Sequence, residues 1–212
     1  MTLKKSKYII GIDEVGRGAL AGNVTVAAVL LPRKSQIPNP KLQTNSKFKI
    51  LNSKLKLRDS KKLTPKQREI WFEYLKNELR LPYAVASVSP KIIDKINISK
   101  AANLAAGKAF SLLIKNSGLR IKNCEVFLDG GLYIQNLKFK IIIRGDEKIP
   151  AISLASIIAK VSRDRQMINL HKKYPKYGFE KHKGYGTKKH FKAIRKHGPS
   201  KIHRLTFLKK MR

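Results

Sequence analysis

Residues 8–22 read YIIGIDEVGRGALAG, and the rest of the chain is organised around them. Tyr8, Ile9 and Ile10 lead through Gly11 and Ile12 into the adjacent acids Asp13 and Glu14, and Gly16-Arg17-Gly18 follows at once. A β-branched and aromatic run flanked by glycine predicts a buried strand that delivers carboxylates to its end. Successive strand residues face opposite sides, so Asp13 and Glu14 are expected to diverge unless the strand bends there. A carboxylate taken out of water needs a cation or a hydrogen-bond partner. Two partners suit Asp13: an ion pair with Arg17 across a turn, or a metal.

Asn23 to Leu31 (NVTVAAVLL) is the second apolar strand and is expected to pair with the first. Arg33 to Arg58 then changes character, with eight Lys or Arg, two Pro and no acid. It reads as a basic insertion, loop at first, with alternation over Phe48 to Leu57 that suits either a short hairpin or a mobile excursion. Thr64-Pro65 is a helix start, and Lys66 to Arg80 runs helical. Tyr83 to Ser89 alternates as a third strand, and Ser99 to Lys115 is an Ala-rich helix closed by Gly118. Two more short strands, Glu125 to Leu128 and Phe139 to Ile143, end in Asp129-Gly130-Gly131 and in Arg144-Gly145-Asp146. Pro150 opens a long helix with small residues on one face, suited to close packing on a sheet. Turns and a basic helix, Lys188 to Lys196, follow. This order predicts an α/β fold, a mixed five-stranded sheet flanked by helices with a basic helical extension at the C-terminal end.

The 212 residues carry 47 Lys+Arg against 13 Asp+Glu, a net charge of +34, which calls for a polyanionic partner, nucleic acid first. From residue 160 onward 18 Lys or Arg face two acids, and all five histidines lie in the same segment. Their spacing and the single, distant Cys124 argue against a structural zinc site. One cysteine excludes an internal disulfide. No apolar run approaches a membrane span and nothing near Met1 resembles a signal region, so a cytoplasmic protein is expected.

Four of the thirteen acids, Asp13, Glu14, Asp129 and Asp146, sit at predicted ends of three strands. Sites of open α/β sheets lie beyond strand ends, and a carboxylate cluster without Cys or paired His is the hard-oxygen set for Mg2+ or Mn2+. Two such ions, roughly 3.5–4 Å apart, suit in-line displacement at a phosphodiester. In so basic a protein, ordinary ion pairs would also neutralise these acids. Gly16-Arg17-Gly18 is either a tight turn or a bare backbone for a phosphate or sugar. Lys183-Gly184-Tyr185-Gly186-Thr187 offers an aromatic between glycines, to stack on a nucleotide or to pin a loop to the core. Asp164, between Arg163 and Arg165, reads as a structural salt bridge.

GIDEVGRG (11–18), DSKKLT (59–64), LDG (128–130), GDEKIPAISLASIIAKVSRDR (145–165), YGFEKHKGYGTKKH (177–190) and HGPSKIHRLTF (197–207) together resemble the type 2 ribonucleases H, specifically the bacterial ribonuclease HII family. The resemblance covers nearly the whole chain in order. It implies an RNase H-like fold over residues 1–173, with 33–58 inserted and 174–212 as an extension packed on the same domain. It implies a monomeric endonuclease that cuts the RNA strand of RNA/DNA hybrids and cleaves 5′ to single ribonucleotides in duplex DNA, leaving 5′-phosphate and 3′-hydroxyl ends. By position it makes Asp13, Glu14, Asp129 and Asp146 the metal-binding catalytic carboxylates. Gly16, Arg17 and Gly18 become the contact to the ribose 2′-hydroxyl, with Lys183 and Tyr185 on the substrate and Tyr185 near the RNA–DNA junction. Ala19 and Asn23 stand where the family usually has proline, and residues 33–58 are longer and more basic than its usual connection. With the first strand starting at residue 8, the N-terminal substrate-binding domain of type 3 relatives is not expected.

Two rivals remain at this level: a non-catalytic basic RNA-binding protein, and a junction resolvase on a related fold. Metal-dependent cleavage of a hybrid separates the first, and cleavage of branched DNA lacking ribonucleotides identifies the second.

Overall fold

The computed structural model describes residues 6–33, 60 and 63–209. The basic insertion expected at 33–58 lies, but for Arg33, outside them. Five strands form one sheet in the order β3-β2-β1-β4-β5. Strand β1 (Tyr8–Val15) pairs antiparallel with β2 (Val24–Pro32), and β2 pairs antiparallel with β3 (Tyr83–Val88). On its other side β1 runs parallel to β4 (Cys124–Asp129), which runs parallel to the short edge strand β5 (Lys140–Ile142). The mixed sheet matches the expectation, and its three parallel strands β1, β4 and β5 all end on the side where the acids lie.

Helix α1 (Pro65–Glu73) starts at Thr64, whose hydroxyl accepts the Gln67 N–H while the Gln67 side chain accepts the Thr64 N–H. That reciprocal box and Pro65 satisfy orphan donors of the first turn. The helix read as continuous to Arg80 widens into a π-turn, Tyr74–Glu78. A short helix not foreseen, α2 (Pro90–Ile96), precedes α3 (Ile98–Ser117), which Gly118 closes in the left-handed conformation at φ 65°. Then follow α4 (Gly145–Lys148), the long α5 (Pro150–Lys173), α6 (Phe179–His182), α7 (Lys188–His197) and α8 (Leu205–Leu208).

Alternation along β1 and β2 splits the core in two. Ile10, Ile12, Val24, Val26 and Ala28 face the alanine stripe of α3, Ala101, Ala102, Ala105, Ala106 and Ala109. Ala27, Val29 and Leu31 face Trp71, Leu75 and the α5 residues Leu154, Ala155, Ile157 and Ile158. Since β2 is covered on both faces, its sequence is continuously apolar rather than alternating. The small residues of α5 do what their size suggested. A Cβ on Gly11 would lie 2.2 Å from the Ala151 carbonyl carbon, so β1 and α5 touch backbone to backbone. A third cluster, Ala21, Met167, Tyr177, Phe179 and Ile194, ties the C-terminal helices to α5 and to the turn after β1. Among the described residues no helix is long and apolar enough to cross a membrane.

Candidate active site

The parallel register sets Ile12 opposite Leu128, so Asp13 and Asp129 come next, side by side at the ends of adjacent strands. Alternation then separates the neighbouring acids as predicted. Asp13 turns toward α5, where it is buried and the Ser156 side chain hydrogen-bonds it. Glu14 turns the other way, and Arg17 Nη1 donates to its Oε1 at 3.0 Å. The ion pair considered for Asp13 and Arg17 therefore forms with Glu14 instead. Arg17 also reaches the Gly131 carbonyl at 3.3 Å and Ser99 Oγ at 3.4 Å, spanning from β1 to α3 and the loop after β4.

Asp129 Oδ1 accepts the Gly145 N–H at 2.7 Å, which brings the start of α4, and so Asp146, beside the end of β4. Asp146 is buried, and its carbonyl accepts from Ser153 Oγ at 2.5 Å. Burial raises the Asp13 carboxyl well above its ordinary range, and the charges of Glu14 and Asp129 push it the same way. Burial also raises Glu14, against the pull of Arg17.

These features fit a hard divalent cation. Asp13, Glu14 and Asp129 each give one oxygen to a protein donor, while the second oxygen of Glu14, Oε2, is buried with no hydrogen-bond partner. An oxygen removed from water in that way is costly unless something positive meets it. Among the described residues, no three His, Cys, Asp or Glu side chains stand arranged to hold an ion as they are. Asp129 Oδ1 is engaged by the Gly145 N–H. The residues that would hold the ion are Asp13, Glu14, Asp129 and Asp146.

The glycines around Arg17 differ in their reasons. Gly16 has φ +90°, and a Cβ there would lie 2.2 Å from Arg163 Nε, so the protein itself requires it. Gly18 is exposed, and a Cβ on it would meet nothing within 4 Å. Its bare backbone is left open toward solvent.

Two buried arginines that sequence reasoning missed hold this turn. Arg163 donates to the carbonyls of Asn23 (3.0 Å), Lys183 (2.9 Å) and Ala21 (3.1 Å). Arg204 donates to Arg17 O at 2.8 Å and twice to Gly22 O, at 3.1 and 2.9 Å. Burial lowers the Arg163 guanidinium, and it lowers Arg204 to about 9, with Arg163 adding to the effect. A signal existed for Arg163: Ala155, Ala159, Arg163 and Met167 recur every fourth residue, and all four are fully buried. Nothing comparable marks Arg204. Ser60 was missed too, although it lies in the DSKKLT run; it bonds Ser156 Oγ at 2.7 Å, behind Asp13. Arg68 holds that segment through the Ser60 and Leu63 carbonyls.

Tyr185 is half-buried on the loop between α6 and α7, with Arg163 Cζ 5.3 Å and Lys160 Nζ 5.8 Å from its ring centre. Gly184 brings this loop to the β1–β2 turn: its carbonyl accepts from Leu20 and Ala21 N–H, at 2.8 and 3.3 Å. Lys183 adopts φ 50° and its ammonium returns to the Glu180 carbonyl. Asp164 pairs with Lys160 at 2.8 Å, the structural bridge expected.

The structure of ribonuclease H2 from Pyrococcus horikoshii OT3 superposes with a TM-score of 0.66 at 26% identity, covering 94% of this chain and 93% of that one. Bst-RNase HIII in complex with Mn2+ superposes at 0.62 with 19% identity, over 92% of this chain and 64% of that one, and shares the fold. Fold and site together define a nuclease of the type 2 ribonuclease H class. A family model, Ribonuclease HII, matches residues 10–210. The Ribonuclease HII of Caldicellulosiruptor bescii is 47% identical over 205 residues, 96% of this chain and 87% of that protein. The chain belongs to the Ribonuclease HII family.

Proposed function

We propose that this chain hydrolyses the RNA strand of RNA/DNA hybrids and cuts duplex DNA 5′ to a single embedded ribonucleotide. Asp13, Glu14, Asp129 and Asp146 hold Mg2+ or Mn2+, and the products carry 5′-phosphate and 3′-hydroxyl ends. The observation that carries the reading is the placement of Asp13 and Asp129 at adjacent parallel strand ends, beside a turn whose Gly18 is open and whose Arg17 is already oriented. The Mn2+ complex of Bst-RNase HIII, on the same fold, supports the choice of ions.

The surplus of basic residues draws in and holds the duplex by its phosphates. Only a ribonucleotide carries the 2′-hydroxyl, and the backbone of Gly16-Arg17-Gly18 reads it, with no side chain at Gly18 to keep a sugar away. Tyr185 stacks on a nucleotide near the RNA–DNA junction while Lys183 meets the substrate. Two divalent ions, when bound, supply an activated water and stabilise the leaving oxygen of an in-line displacement. Asp13 and Glu14 would each offer a carboxylate oxygen to an ion at the end of β1, and the hydrogen bond from Ser156 keeps Asp13 from rotating away. No histidine base is required. Residues 174–209 act as the extension that carries the Tyr185 loop. The protein works as a cytoplasmic monomer.

A labelled DNA duplex with one ribonucleotide, incubated with Mg2+ or Mn2+, tests the proposal, alongside Asp129→Asn and an all-DNA control. Cleavage 5′ to the ribonucleotide by the wild type alone is expected. Cleavage of a long hybrid only would reject the junction reading, and no cleavage of either by folded protein would favour a binding protein.

A further inference from the structure

The loop that carries Tyr185 is fastened from beneath by imidazoles. The Tyr185 carbonyl accepts from His190 Nδ1 at 2.9 Å, and the Tyr185 N–H donates to the His182 carbonyl at 2.9 Å. The Gly184 N–H donates to His182 Nδ1 at 3.2 Å. His182 lies stacked on His190 with ring centres 4.3 Å apart. The relay then continues away from the loop: His190 Nε2 lies 3.1 Å from His203 Nε2, and His203 Nδ1 accepts the Ser200 N–H at 2.9 Å. Tyr177 and Phe179 wall the cluster, and His190 and His203 are fully buried, at 0 and 2% exposure.

These partners leave one proton arrangement. A carbonyl only accepts, so His190 carries its proton on Nδ1 and its Nε2 is bare. A backbone N–H only donates, so His203 Nδ1 is bare and its proton sits on Nε2. One proton therefore lies between the two Nε2 atoms, donated by His203 to His190. A second proton on either ring would set two N–H groups against each other.

We propose that His190 and His203 are positioning residues for Tyr185: two neutral imidazoles of opposite tautomer that fix the loop presenting the junction-reading ring. This role rests on the reading that Tyr185 meets the substrate at the junction. A buried polar pair of this kind specifies one geometry because any other leaves a polar atom unsatisfied. The charged groups around it do not supply a counter-ion. Glu180 and Lys183 act on His182, and the Arg204 guanidinium is turned to the Arg17 and Gly22 carbonyls. Burial holds both His190 and His203 at about 4, which keeps the relay neutral at physiological pH.

Nitrogen NMR of the full chain labelled at histidine reads the tautomers without any assay of activity. His190 protonated on Nδ1 and His203 on Nε2 at pH 7.5 is expected; the same tautomer on both, or a charged ring, overturns the relay. Kinetics then test the positioning. In His190→Gln the amide sits near the Nε2 position and abandons the Tyr185 carbonyl, whereas in His190→Asn it sits near Nδ1 and keeps it. On the single-ribonucleotide duplex, kcat/KM is expected to fall about ten-fold in His190→Gln and less than about three-fold in His190→Asn, the scale of one buried hydrogen bond. Both should cut a long hybrid within about three-fold of wild type, and His190→Gln added to Tyr185→Ala should cost nothing more, as for two changes in one coupled unit. Equal losses on both substrates, or losses that multiply with Tyr185→Ala, overturn the positioning role. Correct tautomers in a wild type that leaves the single-ribonucleotide duplex intact refute the junction reading and with it the role assigned to the relay.

Discussion

The Arg163 guanidinium stands where a side chain on Gly16 would begin: its Nε lies 2.2 Å from the position of a Cβ at Gly16 and 3.0 Å from the Asn23 carbonyl it bonds. Gly18, two residues on, has no such neighbour. Gly16→Ala is therefore expected to destabilise the fold by about 2–4 kcal/mol, combining overpacking with a strained positive φ. Gly18→Ala should leave the melting transition within a degree or two, on the order of surface substitutions, and lower cleavage at a single ribonucleotide. Thermal melts and kcat/KM on the same preparations check both, and a Gly18→Ala enzyme with wild-type kinetics would remove Gly18 from the substrate contact.

Ser60 and Ser156 bond across 96 residues of sequence, and Ser156 continues to Asp13. Ser156→Ala leaves Ser60 buried without its partner and should cost about 1–3 kcal/mol. Removing both hydroxyls in Ser60→Ala/Ser156→Ala should recover part of that stability, because no orphaned group then remains. Activity should not recover, since Asp13 still lacks its support. Urea denaturation and single-turnover cleavage of the three variants provide the test; parallel recovery of both quantities would show that Ser156 does not position Asp13.

Burial and two neighbouring carboxylates make a charged Asp13 unfavourable in the protein without a cation. Asp13→Asn is expected to raise metal-free stability while abolishing cleavage, a site residue being retained at the expense of stability. Mn2+ should raise the melting temperature of the wild type and leave that of Asp13→Asn nearly unchanged, since only ligand bound to the native state stabilises it. Scanning fluorimetry in chelator and in Mn2+ reads both effects, and a wild type indifferent to metal would sink the assignment.

His190 and His203 titrate at about 4 when folded, below the usual 6.5. The unfolded chain takes up their protons first on acidification. Stability fully present above pH 6.5 is therefore lost as pH falls through 4, by about 3 kcal/mol for each ring at the limit. Asp13 and Glu14 work in the opposite sense, because their raised values let the folded state bind protons early. Comparing wild type with His203→Gln isolates the histidine part: the acid-side slope of stability should flatten in the variant, and an equal slope would show that folding does not lower the proton affinity of His203.

The elements were largely legible in the sequence where apolar periodicity was strong. Tyr8–Val15, Val24–Pro32 and the alanine-rich Ile98–Ser117 follow from their patterns, and Thr64 from its capping chemistry. Helix α2 escaped because seven residues hold too few turns to show a period. The carboxylates stood out because acids at the ends of apolar runs have no packing reason to be there. Arg163 and Arg204 did not, because they act on carbonyls up to 187 residues away, and the histidine relay did not, because its 5- and 13-residue spacings match no helical or strand period. Residue type does not reveal such partners, and a basic segment reads the same whether its arginines are buried or in solvent.

The sequence by itself determined where the main strands lie, that Asp13, Glu14 and Asp129 stand at strand ends, and, through motifs spread over nearly the whole chain, the family. These depend on local propensity and spacing, which need no knowledge of neighbours. The tertiary structure alone decided that Arg17 pairs with Glu14 rather than Asp13, that Gly16 is glycine for Arg163 while a side chain on Gly18 would meet nothing, and that Tyr185 is held from beneath by histidines. Each of those follows from the register of parallel strands and the close approach of helix to sheet, which bring distant groups within hydrogen-bond reach and exclude water, so that burial sets the charge each can carry.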